Sequence, residues 1–105
     1  MDSRSADVTN INIDPNAIAA FCRKWNVAEL ALFGSVLTND FRDDSDVDVL
    51  VSFHPDAHIG LIALSKMELE LSAIVGRKVD LITKGGLKPF VRDHILSSSE
   101  TLYAA

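Results

Sequence analysis

The chain has 105 residues, which fits one domain with a modest core and leaves little room for a second. Its formal net charge of −5 argues against gripping a nucleic-acid backbone, which rewards clustered Lys and Arg, and its one cysteine, Cys22, excludes an internal disulfide and a Cys-based zinc site. Apolar residues make up 48% of the chain and no run of them approaches the ~20 residues of a membrane span, so a cytoplasmic protein with apolar surface to spare for a partner is expected.

The polar stretch 1–12 reads as a flexible tail, and residues 13–105 as the domain. Asp14-Pro15 opens a helix, with Asp as N-cap and Pro in the first turn, and Ile18, Phe21, Cys22 and Trp25 follow at helical spacing to about Asn26. Glu29–Phe33 reads as a strand broken by Gly34-Ser35, and a helical turn is expected over Ser35–Asn39, followed by an acidic loop at Phe41–Ser45. Asp46–Phe53 is the clearest strand: Val47, Val49, Val51 and Phe53 point one way, Asp46, Asp48, Leu50 and Ser52 the other. An amphipathic helix over Leu61–Val75 carries the stripe Leu61, Leu64, Met67, Leu71, Ile74 and Val75, and Gly76 stops it. Lys78–Thr83 is a third strand, Gly85-Gly86 a loop, Pro89 to about Leu96 a last helix, and Thr101–Tyr103 a short edge strand. This order predicts an α/β (α+β) domain: a small mixed sheet with helices packed mainly on one face.

The informative pattern is Gly34-Ser35, a ten-residue gap, then Asp46-Val47-Asp48. Strand alternation puts Asp46 and Asp48 on one face, where two carboxylates repel and raise each other's pKa unless a hard cation such as Mg²⁺ sits between them. If the third strand lies alongside, Asp80 joins the same face. Three carboxylates on one patch suit two metal ions ~3.5–4 Å apart, holding the attacking and leaving oxygens of an in-line displacement. Gly34-Ser35, where a strand ends and a turn begins, offers free backbone N–H groups and a hydroxyl to a triphosphate.

The string Leu32-Phe33-Gly34-Ser35, the gap, and Ser45-Asp46-Val47-Asp48-Val49-Leu50-Val51, with the later Gly76-Arg77-Lys78-Val79-Asp80-Leu81-Ile82, resembles the minimal nucleotidyltransferases of the polymerase-beta-like superfamily over roughly residues 13–103. The resemblance implies that superfamily's fold and Mg²⁺-dependent nucleotidyl transfer from ATP. It implies that Gly34 and Ser35 contact phosphates, that Asp46 and Asp48 bind metal, and that Asp80 binds metal or activates the attacking hydroxyl. It also implies a frequent role: many such proteins are antitoxins paired with HEPN-domain RNase toxins, and some transfer AMP onto a toxin tyrosine. One departure is Thr38, where many members carry Arg; Lys84 and Arg42 are candidates to replace that charge.

Blander readings apply to single residues. Alone, Asp46 and Asp48 would be solvated strand-end carboxylates, and Gly34-Ser35 an ordinary turn. Asp40, Asp43 and Asp44 read as a solvated loop, His54, His58 and His94 as surface histidines, and Cys22, Phe21 and Trp25 as core. Ile62 and Leu69 lie off the main stripe and fit either extra core or a partner face. Three functions compete: AMP transfer from ATP to a hydroxyl of a partner HEPN toxin, with the chain in a homo- or hetero-oligomer; neutralisation of that toxin by contact alone; and nucleotidylation of a small molecule, for which the chain is short of an enclosing domain.

Overall fold

The computed structural model describes residues 13–37, 46–87 and 89–104. The expected tail 1–12 and acidic loop 41–45, with Thr38 and Arg42, lie outside these. The described elements run helix α1 (Pro15–Lys24), strand β1 (Val27–Phe33), a 3₁₀ turn (Gly34–Leu37), β2 (Val47–Phe53), helix α2 (Leu61–Val75), β3 (Val79–Thr83), a second short 3₁₀ turn (Lys84–Gly86), helix α3 (Pro89–Ser98) and β4 (Glu100–Ala104). The sheet order is β3-β2-β1-β4, with β2 and β3 parallel and the other pairs antiparallel. A parallel pair cannot be joined by a hairpin, and α2 is the crossover that returns the chain to the start of β3.

Local chemistry explains the boundaries. Asp14 caps α1 by accepting from the Asn16 N–H at 3.0 Å, and Arg23 and Lys24 complement the dipole at its far end. The helix stops at Lys24, two residues before the expected end, because Asn26 turns left-handed (φ 62°) and sends the chain into β1 at Val27 rather than Glu29. Gly76 closes α2 in the left-handed conformation (φ 80°) and donates to the Ser72 carbonyl at 2.8 Å.

The sheet divides the apolar residues into two clusters. On one face Ile18, Phe21 and Cys22 of α1 and Met67, Leu71 and Val75 of α2 meet Val27, Leu30, Leu32, Val47, Val49, Val51 and Val79. On the other, Ala31, Phe33 and Leu50 gather Ile82, Leu87, Ile95 and Leu96, the last two from α3. Two of the three described helices therefore share one face, and α3 covers part of the other. Leu61 departs from the expected stripe. It is 82% exposed at the first turn of α2, and the buried line starts at Leu64 and Met67. Ile62 and Leu69, 77% and 74% exposed, are not extra core.

Candidate functional site

The acidic residues meet because of register. In the parallel β2–β3 ladder, Val47 sits beside Val79, Asp48 beside Asp80 and Val49 beside Leu81. The valines and leucine enter the sealed core, so alternation sends Asp48 and Asp80 together to the opposite face. Asp46 stands just before β2, not in it. It is exposed and lies 3.9 Å from the Lys78 ammonium, an ion pair too solvated to contribute much. The ladder begins one residue later, and the Val47 N–H donates to the Lys78 carbonyl at 2.8 Å.

Asp48 is the half-buried member. Desolvation raises its pKa first, and the carboxylates of Asp80 and then Asp46 push it further up. The direction is that of a carboxylate partly removed from water and crowded by others of like charge. Among the described residues no three acidic, His or Cys side chains are drawn into a ready-made metal cage. Carboxylates that repel one another have no reason to converge until a positive charge joins them.

Gly34 ends the antiparallel partner strand, next to Phe33, which pairs with Asp48. Its φ of +81° is one that side-chain-bearing residues rarely adopt. A Cβ there would run into the Asp48 carboxylate, with Cγ at 3.3 Å. Glycine is thus favoured by the backbone conformation, and any Cβ there would also displace the Asp48 carboxylate. Ser35 follows in the same 3₁₀ turn, where its backbone is described. The structure gathers Gly34, Ser35, Asp46, Asp48 and Asp80 at one end of β1, β2 and β3. Lys84, a candidate replacement charge, is engaged with Glu29 at 3.1 Å. His54, His58 and His94 take no part in a metal cluster among the described residues.

Sequence reading missed the polar contacts that fix this geometry from behind. Glu70 of α2 accepts from the Lys24 ammonium and the Trp25 indole N–H, each at 3.0 Å, and ties α2 to the end of α1. The Lys24 bond, seconded by Trp25, holds the Glu70 carboxyl below its ordinary pKa. On the other flank of α2, Glu68 and Ser72 reach the backbone of β3. Side-chain-to-backbone bonds leave no periodic trace in a sequence; the i, i+4 spacing of Glu68 and Ser72 was the only available hint.

Comparison with known proteins matches this geometry to a family. The nucleotidyltransferase domain model matches residues 15–101. The chain belongs to the nucleotidyltransferase family. It shares 31% identity over 90 residues with a Methanocaldococcus jannaschii protein that carries a provisional protein-adenylyltransferase name, spanning 86% of this chain and 95% of that one. It shares 34% over 73 residues with the protein adenylyltransferase MntA of Thermococcus cleftensis, spanning 70% of this chain and 72% of the relative. Among solved structures, a toxin–antitoxin complex with AMP-PNP superposes with a TM-score of 0.71 over 89% of this chain and 75% of that one, at 19% identity, which is a likeness of fold. The mixed sheet and its helices are accordingly the polymerase-beta-like fold, and the chain is an enzyme of the nucleotidyltransferase class. Among the described residues no helix is long and apolar enough to cross a membrane.

Proposed function

We propose that the protein transfers AMP from ATP, with Mg²⁺, to a hydroxyl of a partner HEPN toxin, and that this transfer is its antitoxin activity. The observation that carries the reading is the register pair Asp48–Asp80 on adjacent parallel strands, with the left-handed Gly34 against Asp48. The donor set fits a hard divalent cation: all oxygen, acidic in excess, and with the Asp48 pKa raised by burial and by its carboxylate neighbours. Asp46 and Asp48 would hold the metal, and Asp80 would complete its coordination or take the proton of the attacking hydroxyl. Bound there, Mg²⁺ would neutralise charge on the triphosphate and polarise the α-phosphate. The Gly34-Ser35 backbone would receive phosphate oxygens and set the nucleotide's orientation. The acceptor oxygen then forms a bond to the α-phosphorus as pyrophosphate leaves, and the hydroxyl proton passes to Asp80 or solvent. Support for the partner comes from relatives named protein adenylyltransferase and from a structural neighbour solved as a tri-AMPylated Shewanella oneidensis HEPN toxin in complex with its MNT antitoxin, TM-score 0.63.

Intact-mass spectrometry of the partner tests the reading. With Mg²⁺ and ATP the partner should gain one or more adenylyl groups. Asp46→Asn with Asp48→Asn should lower the rate at least ~10³-fold while the protein stays folded. The exposed side chains of Leu61, Ile62, Leu69 and Phe90 favour a second reading, in which contact alone silences the toxin. If the double variant still protects cells and no adduct ever forms with wild type, that second reading replaces the first.

A further inference from the structure

Strand β3, five residues long, is an edge strand among the described residues, with β2 as its strand neighbour. On its β2 side the ladder sets Asp80 beside Asp48. On its outer side the amides of Val79 and Leu81, the two residues flanking Asp80, would otherwise face solvent. Both are taken by side chains of α2. The Leu81 N–H donates to Glu68 Oε2 at 2.7 Å, and the Val79 N–H donates to Ser72 Oγ at 2.9 Å. Ser72 Oγ in turn donates to the Glu68 carbonyl at 2.7 Å, which fixes the hydroxyl's lone pair toward Val79. The bond to the Glu68 carboxylate is charge-assisted and short for an N–H donor.

An edge strand held on one side only is free to shift outward, and here a force acts in that direction. Asp80 stands in register beside Asp48, and two neighbouring carboxylates repel each other, so each favours separation of the strands that bear them. Closing the outer edge also removes a strand-pairing hazard, but a lysine or proline on the edge would do that as well. Glu68 and Ser72 do something more specific: they grip the residues immediately before and after Asp80. We infer that Glu68 and Ser72 are positioning residues for the acidic site, fixing β3 from behind so that Asp80 stays beside Asp48 against their mutual repulsion. The inference rests on the reading that Asp80 belongs to a metal–nucleotide site.

The test is calorimetric titration of Mn²⁺ in the presence of AMP-PNP, which needs no acceptor, together with amide hydrogen exchange of the metal-free protein. Glu68→Ala should speed exchange at the Leu81 amide and weaken Mn²⁺ binding about tenfold, the scale of an outer-shell partner. Glu68→Gln keeps an acceptor and should restore Mn²⁺ affinity to within about threefold of wild type. Val75→Ala, a core truncation in the same helix, lowers the melting temperature without touching the edge and should leave Mn²⁺ affinity unchanged. Ser72→Ala, which removes the bond to Val79 and the hydroxyl's own bond to the Glu68 carbonyl but leaves the carboxylate bond to Leu81, carries the same comparison if Glu68→Ala does not fold. Wild-type Mn²⁺ affinity in Glu68→Ala despite a deprotected Leu81 amide overturns the inference and leaves the site reading standing. Wild-type affinity in Asp80→Asn, or no Mn²⁺ binding by the wild type, overturns the site reading and this inference with it.

Discussion

The two faces of the sheet are made from alternate residues of the same strands but meet different fates. Along β2, Val47, Val49 and Val51 vanish beneath α1 and α2. One residue out of phase, Leu50 lies under α3 at 4% exposure while Asp48, two positions earlier, remains half open. The sealed face supplies most of the burial. The other face is closed at the α3 end, and among the described residues no helix covers the end where the carboxylates stand. The same alternation that builds the core thus sends Asp48 and Asp80 to the face away from it.

Breaking the sealed face should have the largest effect on stability. Leu71 is fully buried between α2 and the sheet, and Leu71→Ala should cost about 2–5 kcal/mol from lost transfer energy and the cavity left behind. Denaturant unfolding checks this. Part of the molecule's function should survive at low temperature, because no residue of the open face changes.

Sharpening the open face should give a smaller effect of opposite sign. Asp48 has a raised pKa in the folded chain, so between its ordinary value of 3.8 and the raised one the folded state binds the proton more tightly than the unfolded state. Stability therefore falls as pH rises through that window and stays lower above it. Asp48→Asn removes the penalty and should raise the melting temperature at pH 7 by a few degrees. The size is limited by solvent screening of a half-exposed group, at ~4–8 °C per kcal/mol for a domain of this size. The gain should vanish below pH 3.8, where wild-type Asp48 is protonated in both states. A melting temperature unchanged at pH 7 would mean that the carboxylates do not burden the fold.

The contrast also explains what the sequence made legible. Period-two alternation in Asp46–Phe53 identified β2 and assigned each residue to its face, and the Asp14-Pro15 and Gly76 signals bounded two helices. The proposed site residues stood out because glycine, serine and three aspartates fall at informative spacing, and the β2–β3 register then sets Asp48 beside Asp80. What period alone could not tell is which apolar residues at helix ends find a neighbour. Leu61 belongs to the stripe by angle, but it sits in the first turn of α2, beyond the reach of the sheet. The start of β1 was missed because Asn26 takes a left-handed turn that no hydrophobic pattern signals. The grip of Glu68 and Ser72 on β3 depends on which strand α2 packs beside, and that follows from topology.

The smallest effect on the chain itself should come from its exposed apolar line, and that smallness is what makes it a test. Ile62 and Leu69 are seven residues apart, two helical turns, and so lie along one side of α2, away from Met67 and Leu71. Ile62 also lines a groove with Trp25, Gly60, Leu61, Ala63 and Lys66. Neither side chain contributes to the core, so Ile62→Lys with Leu69→Lys should change stability by no more than ~0.5 kcal/mol per site. If α2 docks the protein that receives AMP, the charges would have to be desolvated in the complex, and affinity should fall at least ~10-fold. Nucleotide affinity, which we place on the opposite face of the sheet from α2, should not move. Biolayer interferometry with the partner and calorimetry with Mg²⁺ and AMP-PNP read the two separately. Loss of both affinities together would show that the substitutions had disturbed the fold. Retention of both would place the partner's docking surface elsewhere, with the exposed Phe90 of α3 as the next residue to change.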